Sequence, residues 1–291
     1  MVSNKELLRR LNVFIRFKGI AKAVQMVAIA SLKKYKNKIE TRQVSLLVVK
    51  ELFTLDGFTN NFFFVRERKV LLPITSDRQC TGIINSKVLK GAIKILNRLR
   101  RSQNDEVSIF LVGIKGNNIV KRLGLENDVA GICTGLMSEV VCLYTMYSIY
   151  MKMLDLEFDK LIIVFNKYFE MFDQRISKYE LPSFNAFEHL ILQNRQNIPF
   201  LKSIIEEKKT NEFFYEDVYY YCSLLVLLDS FEENEYSELG SRAMAMENTL
   251  QNTSKVVDIL RITYNRARQS KITNELIEVV SASEFMNSES N

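Results

Sequence analysis

From Phe200 to Asn291 the chain has no proline and a single glycine, Gly240. These two residue types break a helical ladder most reliably, proline by lacking an N–H and glycine by losing the most backbone entropy on ordering. All three prolines (Pro73, Pro182, Pro199) and every glycine except Gly19 and Gly240 lie between Gly57 and Pro199. That partition predicts one compact, turn-containing core flanked by two helical arms, although 291 residues could by length alone make two domains. The expected division is 1–56, 57–205 and 206–291.

The C-terminal arm, from about Asn211 to Phe285, would reach on the order of 110 Å as one helix, so it cannot be buried in its own core. Val256, Leu260, Thr263, Ala267 and Ser270 keep the alternating spacing of four and three expected of a coiled-coil seam. The N-terminal arm, from Lys5 to about Phe53, places Leu8, Leu11, Ile15, Val24, Val27, Ala28 and Leu32 at mostly helical spacings. Between Ile20 and Ala30 apolar residues cover nearly its whole circumference. A helix of that kind must be surrounded, either by its own protein's core or by a cavity in another protein.

The net charge of +6 conceals an asymmetry. Basic residues, Lys22, Lys33 and Lys34 among them, dominate the first arm. Asp229, Glu232, Glu233, Glu235 and Glu238 make the start of the second acidic, so the two could lie side by side. Nucleic-acid binding is not expected, because no reader motif or aromatic-basic interleaving accompanies the basic arm. Cys80, Cys133, Cys142 and Cys222 form no CxxC pair and His189 has no ligand-spaced partner, so no metal or cofactor is expected. Reduced thiols suit a cytosolic or matrix-like compartment. No apolar run is long enough for a membrane span.

The middle reads as strand (second half of Phe62–Ile74), helix (Ser86–Arg101), strand (Val107–Val112), helix (Met137–Leu154) and strand (Lys160–Asn166). That alternation predicts an α/β layer with some parallel pairing, a Rossmann-like arrangement. Neither Gly113-Ile-Lys-Gly116, which closes the second strand, nor Asp77-Arg-Gln-Cys-Thr-Gly82 has the spacing of a dinucleotide or phosphate loop. Turn chemistry and a local Asp77–Arg78 pair account for Ser76, Asp77 and Arg78 more simply than catalysis does. No catalytic residue is assigned.

Three blocks carry a resemblance: Ile20-Ala-Lys-Ala-Val-Gln-Met-Val-Ala-Ile-Ala-Ser-Leu-Lys-Lys34, Ser241-Arg-Ala-Met-Ala-Met-Glu-Asn248, and Tyr264-Asn-Arg-Ala-Arg-Gln269 with Ile272-Thr-Asn-Glu-Leu-Ile-Glu-Val-Val280. The chain resembles the gamma subunit of rotary ATP synthase, in a divergent form closer to the mitochondrial wording than the bacterial. Weaker matches are Thr75-Ser-Asp-Arg78, Val112-Gly-Ile-Lys-Gly116 and Ile163-Val-Phe-Asn-Lys167. The family's Asp-Arg-Gly-Leu-Cys-Gly-Gly-Leu-Asn is replaced by Asp77-Arg-Gln-Cys-Thr-Gly-Ile-Ile-Asn85, and Val24 stands in place of a methionine. The chloroplast cysteine-bearing insertion is not apparent.

The resemblance implies a long antiparallel coiled coil of the two arms plus the central α/β domain. It implies a non-catalytic rotor shaft that couples proton-driven rotation to ATP synthesis. The arms would stand among alpha and beta subunits, and the middle domain would meet delta/epsilon-type stalk subunits and the membrane c-ring. Lys22, Arg242, Arg268, Gln269 and Thr273 fall at positions for polar contacts to beta subunits. Val24, Val27, Ala28, Leu276, Val280 and Phe285 fall on the apolar shaft and its bearing. The expected location is peripheral on the matrix side of the mitochondrial inner membrane, or on the cytoplasmic face of a bacterial plasma membrane. The Arg-rich stretch Arg9–Lys22, which has transit-peptide character, then belongs to the mature protein. A stand-alone coiled-coil adaptor and a small α/β enzyme with helical extensions are the readings from other classes.

Overall fold

A computed structural model describes residues 3–53, 68–101, 106–135, 141–170, 173–193 and 213–289, without the side chains of 37–48, 50–53, 189–193 and 284–289. Two compact units result: Met1–Val27 with Ala243–Asn291, and Ala28–Arg242. Helix α1 (Asn4–Phe53) and the C-terminal helix each contribute to both.

The larger unit is built around three central strands whose apolar residues are continuous because both faces are covered. In chain order the elements are β1 (Arg68–Pro73), α2 (Ile84–Arg100), β2 (Glu106–Val112), α3 (Ile114–Leu123), β3 (Val129–Cys133), α4 (Leu143–Leu154), β4 (Lys160–Tyr168), β5 (Gln174–Pro182), α5 (Phe184–Gln193) and α6 (Phe214–Glu289). The sheet order is β3-β2-β1-β4-β5. The first three pairings are parallel and β4–β5 is antiparallel. Order 3-2-1-4 with helical crossovers is the doubly wound arrangement, so the Rossmann-like expectation holds.

Alternation along the strands sorts the core into two layers. Leu71, Ile109, Leu111, Ile162 and Val164 face Val88, Leu89, Ala92 and Leu96 of α2 and Val120 of α3. The opposite residues, Val70, Leu72, Phe110, Val112, Leu161, Ile163 and Phe165, face Met146, Ile149 and Tyr150 of α4, Phe187 of α5, and Tyr215, Tyr219, Val226 and Phe231 of α6. Burial of each large apolar side chain contributes on the order of 1.5–3 kcal/mol.

Helices α3 and α5 and strands β3 and β5 of this unit were not anticipated. Gly113–Gly116 does not merely close β2; it opens α3, which leads into β3, and β5 completes the far edge. Helix α4 starts at Leu143, while the expected start at Met137 lies outside the described residues.

In the smaller unit α1 and α6 run antiparallel. Asn4 Nδ2 donates to the Ala267 carbonyl at 3.3 Å and Gln25 Nε2 to Glu247 Oε2 at 2.5 Å, so partners rise on one helix as they fall on the other. Leu7, Leu11 and Ala21 are the buried α1 positions, with Phe14 half-buried between them. On α6 the buried positions are Ala243, Met246, Thr253 and Val257, continued by half-buried Leu260, Tyr264 and Ala267.

The seam expected through Val256, Leu260, Thr263, Ala267 and Ser270 therefore holds at Leu260 and Ala267 and is corrected at the other three. Thr263 and Ser270 are exposed and Val256 is only half-buried, because the stripe follows Val257 and Tyr264. On α1, likewise, Leu8 and Ile15 are exposed beside the buried Leu7 and Leu11.

Candidate functional site

Every ligand-binding doubly wound sheet has a crevice beyond the carboxyl ends of its strands, where the order reverses. Here that is between the ends of β1 and β4, where Asn166 of β4 meets Asn234 of α6; the neighbouring ends of β2 and β3 are met by the β1–α2 loop. The Asp77 carboxylate accepts the N–H of Ile114 at 2.7 Å, at the start of α3, and that of Gly135 at 3.0 Å. A carboxylate is thus seated where a helix N-terminus would attract a phosphate. The Thr75 hydroxyl donates to the Val112 carbonyl and accepts the Gly116 N–H at 3.0 Å.

Two turns of α6 bond to the same end of the sheet. Arg78 pairs with Glu235 at 3.1 Å, Asn234 Oδ1 accepts from the Asn166 N–H at 3.2 Å, and the Ser241 hydroxyl donates to the Thr81 carbonyl at 2.7 Å. The local Asp77–Arg78 pair is accordingly a mistaken expectation: Asp77 serves backbone donors and Arg78 reaches across to α6. The turn itself is as expected, the Arg78 N–H donating to Ser76 Oγ at 3.0 Å.

The acidic run of α6 is buried instead of solvated. Asp229, Glu232, Glu233, Glu235 and Glu238 are all among the buried charges. A buried carboxylate is tolerable only with donors around it. Tyr179 donates to Asp229 at 3.1 Å, Tyr35 to Glu235 at 2.5 Å, and Arg242 pairs with Glu238 one turn away. Burial pushes the Glu238 carboxyl above its ordinary value against the opposing pull of Arg242. Burial first, and then the Asp229 charge, push the Tyr179 phenol up. Burial raises the Cys222 thiol to about 11, which suits an unreactive core thiol. Among the described residues no group of three or more His, Cys, Asp or Glu side chains could hold a metal ion. His189 lies outside the described side chains.

The sequence-derived contact residues do not converge on one spot. Arg268, Gln269 and Thr273 share the exposed stretch of α6, where the Thr273 hydroxyl donates to the Gln269 carbonyl at 3.0 Å. Lys22 is exposed on α1 of the same unit. Arg242 belongs to the larger unit and is held by Glu238.

The apolar set divides in the same way. Ala21 at 2% exposure and Ala28 at 1% are buried, Val24 is half-buried, and Val27 is 66% and Ile20 62% exposed. So the apolar girdle of α1 is not a core helix in this chain. From Arg268 to Ala282 every residue of α6 is exposed, including Leu276 at 60%, Val280 and Val279. The Phe285 side chain lies outside the described residues. Sequence reasoning missed Tyr35, Tyr168 and Tyr179 as partners of α6. The signal present was Gly240, an isolated glycine in a helix, which implies close approach by something.

These features define a class: a chain whose two ends pair as an antiparallel coiled coil, and whose doubly wound unit has α6 bonded across the carboxyl ends of its strands. The family model described as ATP synthase matches residues 3–286. The chain is 29% identical over 296 residues to the ATP synthase gamma chain of Ehrlichia canis, covering 99% of this chain and 100% of that one. It is 28% identical over 284 residues to the mitochondrial ATP synthase subunit gamma of Arabidopsis thaliana, covering 96% and 84%. Its fold matches a chain of the Euglena gracilis mitochondrial ATP synthase, OSCP/F1/c-ring, rotational state 3, with a TM-score of 0.79 at 20% identity over 99% and 96% of the two chains. The protein belongs to the ATP synthase gamma family. Among the described residues no helix is long and apolar enough to cross a membrane.

Proposed function

We propose that this chain is the central rotor shaft of an ATP synthase catalytic head, coupling proton-driven rotation of a membrane c-ring to conformational change in catalytic beta subunits. The observation that carries the reading is the unpartnered stretch of α6, whose Ile272, Leu276, Ile277, Val279 and Val280 are all exposed. A contiguous apolar surface of that kind marks an interface. Alpha and beta subunits would enclose it, as a bearing without directional bonds. Delta/epsilon-type stalk subunits and the c-ring would engage the larger unit. The location that follows is peripheral, on the matrix side of the mitochondrial inner membrane or its bacterial counterpart, since both kinds of relative match.

The shaft acts by differential contact. Each orientation of an asymmetric helix pair favours a different beta-subunit state, and only such a difference can shift a conformational equilibrium. Exposed Arg268, Gln269, Thr273 and Lys22 are the contacts available to acidic groups of beta subunits. Arg242 would have to exchange Glu238 for such a partner.

The test is Arg268→Ala with Gln269→Ala in the assembled complex. ATP synthesis is expected to fall roughly fivefold or more, with nucleotide binding by the partner subunits within about twofold, a coupling loss of about 1 kcal/mol or more. Unchanged synthesis would remove these residues from the contact set. A chain that purifies as a stand-alone dimer without nucleotide-binding partners would instead support the adaptor reading.

A further inference from the structure

A torque-bearing chain needs a joint where its bulky unit holds the helix against turning, and Gly240 marks one. A Cβ added at Gly240 would come within 2.5 Å of Tyr168 Cε2 and 3.3 Å of Gln174 Nε2. The Tyr168 ring thus lies directly on the α6 backbone, with the Tyr236 ring 4.4 Å away, centroid to centroid, as its other wall. Gln174 Nε2 also donates to the Ser237 carbonyl at 3.2 Å. From a different direction the β1–α2 loop takes the hydroxyl of Ser241 on the Thr81 carbonyl at 2.7 Å, and Arg78 holds Glu235.

Two separate elements, the β4–β5 hairpin where Tyr168 and Gln174 pair and the β1–α2 loop, therefore grip two successive turns of one helix. Apolar packing alone would let a smooth helix slip or roll, since it is non-directional. A ring seated on a bare backbone, a hydrogen bond to the Ser237 carbonyl and one from the Ser241 hydroxyl fix both axial and rotational register. The grip ends where the larger unit ends, at Arg242.

We propose that Tyr168, Gln174, Thr81 and Gly240 form a torsional clamp, the joint through which torque passes between the α/β unit and α6. These are positioning residues, acting on beta subunits only through the helix they hold. The proposal rests on the rotor reading.

It is tested in the assembled catalytic head, fixed to a surface, with a gold rod attached through Lys90→Cys in a Cys80→Ser, Cys142→Ser background. ATP-driven rotation is recorded for the angular variance within catalytic dwells and for dwell duration. Gln174→Ala with Ser241→Ala removes two hydrogen bonds without adding bulk. It is expected to widen the variance by about 1.5-fold or more at unchanged dwell time, because packed interiors transmit strain only while their contacts hold. Gly240→Ala, which displaces the ring, is expected to widen it further, and Tyr168→Leu in that background to narrow it again.

Variance equal to that of the parent in the Gln174→Ala, Ser241→Ala protein overturns the clamp. So does an equal widening from Lys178→Ala, whose side chain is exposed on β5 outside the grip. If Gly240→Ala does not assemble, the double variant decides. A parent complex whose rod does not rotate overturns the rotor reading itself.

Discussion

Gly113 has φ +91° and ψ 142°, a region open to glycine and strained for every L side chain. A Cβ there would meet the Thr75 carbonyl oxygen at 2.3 Å, which is backbone and cannot swing aside. Gly124 also has positive φ, +66°, but as the left-handed cap of α3 with nothing within 4 Å of an added Cβ. The two differ in sterics, so their substitutions separate. Gly113→Ala is expected to cost about 3 kcal/mol or more locally and Gly124→Ala about 1 kcal/mol. Amide hydrogen exchange in the assembled complex checks this, with β2 and α3 exchanging on the order of a hundredfold faster in the first variant. Gly113 stood in the sequence as a strand terminator; its second role needed Thr75, a residue far away in the chain, to become visible.

The elements were legible where one physical rule governed them. The span of α1 followed from its lack of proline and its single glycine, Gly19, and β1, β2 and β4 from continuous apolar runs that only a doubly covered sheet requires. Strand β3, Val-Ala-Gly-Ile-Cys, is a half-covered edge with small residues, and β5 mixes charges with Ile176 and Tyr179, so neither has a continuous run. The α6 seam was read rightly at Leu260 and Ala267 and one position off at Val256 and Thr263, because Val256 and Val257 are adjacent and period alone fits either. What decides is tertiary: Ala267 lies opposite Asn4, Glu247 opposite Gln25, and the stripe between them passes through Val257 and Tyr264. Val257→Ala should accordingly destabilise the paired helices by about 1–2 kcal/mol, from lost burial. Thr263→Ala, on an exposed position, should stay within about 0.5 kcal/mol. Hydrogen exchange of peptides covering 246–267 distinguishes the two registers, and the reverse ranking would restore the one read from sequence.

At the scale of the whole molecule, apolar surface is distributed in a way its own core cannot explain. The larger unit buries both faces of its sheet, yet Ile20, Met26 and Val27 on α1 and Ile259, Ile262, Leu276, Ile277, Val279 and Val280 on α6 are left exposed. The net charge of +6 opposes aggregation only through long-range repulsion, which is screened beyond roughly 8 Å at physiological salt. Short-range association of the helix tip should therefore win. Sedimentation of the isolated chain at physiological salt is expected to give concentration-dependent oligomers. Leu276→Glu with Val279→Glu is expected to return most of the protein to monomer, because two carboxylates cannot be desolvated in such a contact without partners. In the assembled complex the same pair should act in the opposite sense, lowering the yield of complete catalytic heads severalfold, since the enclosure that excludes water from Leu276 and Val279 would have to admit charge. An isolated parent chain that stays monomeric would show that the exposed surface is already compatible with water and needs no enclosure.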